Sequence, residues 1–98
     1  MTREVIWPLQ AQKQLSKVYE YILESSYQNA EKVREAILAS TRRLATHPEN
    51  HPPDKYRMNN DGSFRAYELL HYRVAYRITE KQIIIVRVRH TKMEPLKY

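Results

Sequence analysis

YRVAYRITEKQIIIVRVRHTKMEPLKY, running from Tyr72 to Tyr98, is the stretch whose reading decides the fold. Two strand-like runs are split by a polar turn at Glu80 and Lys81, and each mixes arginine with β-branched and aromatic residues before a basic tail begins. Side chains alternate between the faces of a strand, so Arg73 and Arg77 fall on one face of the first run, and Val74, Tyr76 and Ile78 on the other. In the second run the same period sets Ile84, Val86 and Val88 against Ile83, Ile85, Arg87 and Arg89. If the apolar sets meet a common core, the arginines crowd the opposite surface, which then attracts an anion.

Working outward, Phe64 to His71 predicts a further strand, although its polarity does not alternate cleanly and leaves the faces of Arg65 and Glu68 open. Residues 48–63, PENHPPDKYRMNNDGS, hold three of the five prolines and the only glycine, and predict a loop closing on an NDG turn. Upstream, Ala30, Val33, Ile37 and Leu44 recur at helical spacing, with Asn29 as the expected N-cap and Pro48 as the stop. Ala11, Leu15, Val18, Tyr19 and Ile22 define an earlier amphipathic helix that follows Pro8 and a short strand, Val5 to Trp7. The order predicts an α+β fold: a short N-terminal strand, then an antiparallel helical hairpin packed on a small twisted antiparallel sheet.

The 98 residues are expected to form one domain, 1–98. The net charge of +6 belongs to the second half: residues 51–98 carry ten Lys and Arg against five Asp and Glu, whereas residues 1–50 carry seven against six. Such a balance suits nucleic acid or an acidic protein partner, and a merely solvated basic face gives the same composition. Cysteine is absent, which excludes disulfides, thiolate metal sites and a cysteine nucleophile. No signal-peptide pattern or membrane-length apolar run occurs, so a cytoplasmic protein without membrane contact is expected. His47, His51 and His71 have no metal-ligand spacing, and no phosphate loop or nucleophile elbow is present, so no metal and no cofactor are expected.

The helical hairpin followed by FRAYELLHYRVAYRI, the aliphatic strand IIIVRVRH and a short basic tail resembles the RelE/ParE superfamily of bacterial toxins from type II toxin–antitoxin modules. The likeness spans nearly the whole chain, and its most specific pieces are Tyr72-Arg73 with Val74, Ala75 and Tyr76, and Arg87-Val88-Arg89-His90. It implies a growth inhibitor held inactive by a cognate antitoxin in a toxin–antitoxin hetero-oligomer. RelE-like members cut messenger RNA on the ribosome, and ParE-like members poison DNA gyrase; fold alone does not choose between them.

Metal-free RNA cleavage needs a base for the 2′-OH, cations for the phosphorane-like transition state, and an acid for the leaving oxygen. The resemblance places Arg73 beside the scissile phosphate, Lys92 where a second arginine stands in such enzymes, and Tyr98 where an aromatic engages a nucleotide. Two lysines that serve proton transfer in RelE are replaced by Phe64 and Ala66, which carry no proton. His90 and Glu68 are the candidate substitutes, since imidazole titrates near neutral pH. Against these stand plainer readings: a histidine at a strand end is often structural, Tyr98 reads equally as a frayed end, and Tyr19, Tyr67, Tyr72 and Tyr76 suit core or sheet positions.

RNA cleavage is the first expectation, with Arg73 and Arg89 on phosphate, His90 or Glu68 handling protons, Lys92 assisting and Tyr98 holding a base. Gyrase poisoning without nuclease activity is the alternative, and a non-catalytic nucleic-acid-binding module is a third. Arg65, Arg77, Arg87 and Arg89 are the expected nucleic-acid or antitoxin-binding residues. The antitoxin is expected to bring an acidic, initially disordered segment that wraps Arg65, Arg73, Arg87 and Arg89.

Overall fold

The short strand β1 (Glu4–Ile6) runs almost directly into α1 (Leu9–Leu23) through Pro8, whose carbonyl accepts the first helical hydrogen bond, from Gln12 N–H at 2.9 Å. Proline is tolerated there because the leading N–H groups of a helix have no internal partner in any case. The computed structural model describes residues 2–98. Among them no helix is long and apolar enough to cross a membrane.

A second helix, α2 (Tyr27–Arg43), begins earlier than expected. Ser26, in an extended conformation, caps it by accepting the Asn29 N–H on its Oγ at 3.1 Å, so Asn29 supplies the bonded donor and is not the cap. The helix ends before His47. Leu44, Ala45 and Thr46 close the last turn with bonds to carbonyls three residues back, and Pro48 cannot extend it. Ala11 and Leu15 of α1 and Ala30, Val33 and Ile37 of α2 are buried, as their spacing requires.

Three longer strands follow: β2 (Phe64–Leu69), β3 (Tyr72–Ile78) and β4 (Gln82–His90), with a 3-10 turn over Thr91–Met93. The sheet order is β1-β4-β3-β2. β2, β3 and β4 are antiparallel neighbours, but β1 lies parallel to β4, which makes the sheet mixed. The helical hairpin is the crossover that a parallel pair requires.

One extra residue in β4 changes the face assignment that strict alternation gave. Tyr76 pairs with Ile85 and Ala75 with Arg87, leaving Val86 without a partner as a β-bulge. The bulge reverses the phase, so Ile83, Ile85 and Val88 all enter the core, while Arg87 and Arg89 point away from it; the grouping of Ile84, Val86 and Val88 on one face is thereby corrected. Val88 N–H, beyond the reach of the three-residue β1, donates instead to Gln14 Oε1 of α1 at 2.8 Å.

The core lies between the helices and one sheet face. Ile37, Leu44, Val74, Tyr76, Ile83 and Ile85 are fully enclosed there, each contributing roughly 1.5–3 kcal/mol relative to exposure. Tyr76 also donates its hydroxyl to the Pro48 carbonyl, which ties the start of the long loop to the sheet.

Candidate functional site

Cross-strand partners share a face, so the register sorts the predicted residues. Glu68, Arg73 and Arg89 form one row, Ala66, Ala75 and Arg87 the next, and Phe64, Arg77 and Ile84 a third, all on the face turned away from the helices. His90 pairs with Tyr72 and Arg65 with Tyr76, which places both with the core-facing set. The hairpin arginines do gather on one side.

They are not, however, exposed as a group. Arg73 and Arg87 are buried, and only Arg77 of the four stands open. Loop residues 54–57 and the tail from Glu94 to Tyr98 fold across this face and supply counterions. Asp54, 2% exposed, accepts Arg73 Nη2 at 2.9 Å, Tyr98 Oη at 2.6 Å and the Tyr56 N–H at 3.0 Å. Glu68 Oε2 meets Arg73 Nη1 at 3.3 Å. Glu94 bridges Arg89 Nε at 3.0 Å and Arg87 Nη2 at 3.5 Å, and Arg87 and Arg89 also donate to the carbonyls of Leu96 and Met93 at 2.6 Å. Arg65 donates to the carbonyls of His51 and Glu49. Thus the expectation of a free basic face at Arg65, Arg73, Arg87 and Arg89 is corrected: a cation in a partly buried place needs a partner, and this chain provides its own.

Tyr98, far from fraying, is held by its backbone as well. Its N–H donates to the Tyr56 carbonyl at 3.0 Å, and its carbonyl accepts the Met58 N–H at 2.7 Å. Its ring lies under the Arg87 guanidinium at 3.9 Å and near Arg57 at 5.0 Å, while Arg57 also covers Phe64 at 4.0 Å and Arg73 covers Tyr56 at 4.7 Å. Burial pushes the Asp54 carboxyl up, but the hydrogen bonds from Tyr98, Tyr56 and Arg73 and the Arg73 charge outweigh it and hold the group below its ordinary value. Burial, the hydrogen bond to Asp54 and the Asp54 charge raise the Tyr98 hydroxyl far above neutrality. It is a fixed donor, committed to Asp54.

The proton-handling candidates are separated by the sheet. His90 Nδ1 accepts the Lys92 N–H at 3.0 Å and caps the 3-10 turn. A neutral ring in that setting carries its proton on Nε2 and presents a donor, where a base needs a lone pair. Lys92 is exposed on that turn, and only Glu68 shares the face of Arg73. A separate cleft of about 370 Å³ lies between the end of α2 and β2, lined by residues that include Arg43, His47, His51 and Glu68; burial and then Arg43 lower the His51 imidazole pKa. None of the predicted nuclease set except Glu68 borders it.

Sequence reasoning missed Asp54, Tyr56, Arg57 and Glu94. The signal that could have found the carboxylates is physical: arginines on sheet positions flanked by apolar residues call for counterions, and Asp54 and Glu94 are among only five acidic residues in that half.

A family model for the ParE toxin of type II toxin–antitoxin systems, parDE, matches residues 5–95. The chain belongs to the ParE toxin family. Its fold is shared with a chain of the chromosomal ParDE system from P. aeruginosa, at a TM-score of 0.71 and 18% identity, covering 91% of this chain and 96% of that one. A chain of the RelBE2 toxin–antitoxin complex from Mycobacterium tuberculosis gives a TM-score of 0.68 at 18% identity, covering 92% and 99%. No curated protein matches the chain. The ParE match and the two folds agree with the α+β architecture and with the RelE/ParE resemblance.

Proposed function

We propose that this ParE-family toxin arrests growth by binding its target without catalysis, the target being DNA gyrase as the ParE resemblance implies, and that a cognate antitoxin neutralises it. The supporting observation is the internal pairing of the arginine face. Arg73 is ion-paired with Asp54 and Glu68, and Arg87 and Arg89 with Glu94, so the arginines assigned to a scissile phosphate already hold carboxylate partners. His90 is on the wrong side of the sheet to share a substrate with Arg73. The extent of the ParE match supports the same reading.

RNA cleavage keeps one observation in its favour, the placement of Glu68 beside Arg73. A nucleic-acid-binding module would need unpaired arginines along a backbone track. An antitoxin partner is supported by the two complexes whose chains share this fold. Its acidic segment would face cations of this region that form no ion pair among the described residues, such as Arg57 and Arg77, instead of Arg73, Arg87 and Arg89, which pair with Asp54, Glu68 and Glu94 within the chain.

The test is controlled expression with transcripts and chromosomal DNA followed in parallel. Double-strand breaks with intact transcripts are expected, and Glu68→Gln should be equally toxic. Rapid transcript cleavage that disappears in Glu68→Gln would replace this reading with the nuclease.

A further inference from the structure

The cleft between the end of α2 and β2 takes no part in the covered arginine face, and its construction suits a small ligand. Its volume of about 370 Å³ falls at the lower end of the range for sites that enclose small molecules and cofactors. Leu44 and Leu69, both part of the core packing, give it an apolar floor. Ser40 and Tyr67 join its two walls through a hydroxyl pair 2.6 Å apart, and Ser40 also donates to the Ile37 carbonyl. The His51 ring lies flat on Tyr67, with centroids 4.2 Å apart and planes 21° apart, and meets Tyr76 edge-on at 6.3 Å. Tyr67 thus fixes one face of an imidazole that borders the cleft, and among the described residues no ring stacks on the other. Burial and then the Arg43 charge lower the imidazole pKa, so the ring is neutral at pH 7.

Around this aromatic wall stand polar groups with capacity to spare. The Arg43 guanidinium and the Asn50 amide are exposed and form no side-chain hydrogen bond or ion pair among the described residues. Glu68 gives Oε2 to Arg73 at 3.3 Å and keeps Oε1 as an acceptor. His47 has already committed Nδ1 to the Thr46 hydroxyl at 2.9 Å. One cation and one carboxylate leave the lining close to neutral, so the occupant follows from shape and bonding pattern. A metal ion has no ligand set, since among the described residues no group of three His, Asp or Glu could hold one. A wholly apolar ligand would desolvate Arg43 and Asn50 without pairing them, and an acidic peptide would meet Glu68. A planar heterocycle with an amino edge and an attached phosphate uses all the groups at once.

We propose that this cleft binds one nucleotide whose base bears an exocyclic amino group. The base stacks on His51, its amino group donates to Glu68 Oε1, and its phosphate accepts from Arg43 and Asn50. Histidine rings serve as stacking platforms for unpaired bases, a glutamate carboxylate accepts from a base amino group, and a guanidinium matches phosphate geometry. A free nucleotide and one unit of a single strand present the same chemistry. The site is independent of the target reading above.

Calorimetric titration of the full chain with AMP, IMP, CMP, UMP, ribose 5-phosphate and single-stranded oligocytidylate tests it. AMP and CMP should bind at one site, at least about fivefold tighter than IMP and UMP, whose bases carry an oxo group in place of the amino group. Arg43→Gln and His51→Leu should each weaken that binding at least about fivefold. Glu68→Gln, whose amide donates as well as accepts, should erase the preference. Arg43 is exposed, so its variant should melt as the parent does, which separates loss of the ligand from loss of the fold. In NMR spectra the His51 ring protons should move upfield as AMP is added. Binding of oligocytidylate but of no free nucleotide, with the same losses in the variants, supports the cleft and assigns it to a strand. The proposal is overturned if neither form binds, if Arg43→Gln binds as the parent does, if ribose 5-phosphate binds as tightly as AMP, or if the amino preference is absent or survives Glu68→Gln.

Discussion

Replacing Asp54 with asparagine tests the centre of the covered face. The substitution preserves shape but leaves the Arg73 guanidinium, 7% exposed, without its buried counterion. Breaking a buried pair by removing one partner costs about 3–5 kcal/mol. The lower end applies, because Glu68 remains at 3.3 Å and the amide oxygen can still accept from Tyr98 or Tyr56. A loss of about 3 kcal/mol is a large fraction of the ~5–15 kcal/mol typical of a domain, and corresponds to a fall in Tm of roughly 12–24 °C for a chain of this length. The pH dependence carries a sign. The carboxyl is depressed in the folded state, so its stabilisation is present above the unfolded value of about 3.9 and disappears as pH falls through the lower folded value. Urea denaturation followed by tryptophan fluorescence should show parent and Asp54→Asn far apart at pH 7 and converging at acidic pH. A gap below about 1 kcal/mol at pH 7, or one that stays constant on acidification, would refute the assignment of Asp54 as the counterion.

Other substitutions probe separate parts. Tyr98→Phe removes a hydrogen bond to a charged group and should cost about 1.5–3 kcal/mol in the parent but much less in Asp54→Asn, a coupling readable from a double-mutant cycle. Glu94→Gln unpairs Arg87 and Arg89 together and should loosen the tail, seen as faster tryptic cleavage after Lys97 with the helical circular dichroism unchanged. Ser26→Ala removes the α2 cap and should lower stability by about 1 kcal/mol without affecting growth arrest beyond that loss.

The helices and the closing hairpin were legible because their apolar residues recur at periods set by the backbone itself, 3.6 in Ala11–Ile22 and Ala30–Leu44 and 2 in Tyr72–Ile78. What failed was phase and partnership. The bulge at Val86 leaves no mark in IIIVRVR, since a β-branched residue suits a paired and an unpaired position alike, yet it decides which side Ile85 and Arg87 occupy. The turn at Leu70–His71 carries none of the Gly, Asn or Asp that announce a type I′ hairpin. Asp54 and Glu94 lie in segments rich in proline and polar residues, whose contacts depend on where the loop and tail travel over the sheet, information that periodicity does not contain.

The covered face shows why net charge was a poor guide to a ligand. Helices occupy only one side of this sheet, so a loop and a tail must shelter the other, and they do so with guanidinium groups laid on Phe64, Tyr56 and Tyr98 where a larger protein would use a second apolar layer. Arginine serves here as packing material with a charge attached, and Asp54 and Glu94 cancel that charge locally. A phosphate entering this face would have to strip the arginines from carboxylates that cannot reach water, leaving buried anions at a cost of about 3–5 kcal/mol each. A charge-assisted hydrogen bond to the newcomer returns about 1.5–3 kcal/mol. The exchange is unfavourable, so the ion-paired arginines make poor phosphate ligands, and of the four hairpin arginines only Arg77, exposed at the rim of the face, meets a ligand without giving up a carboxylate.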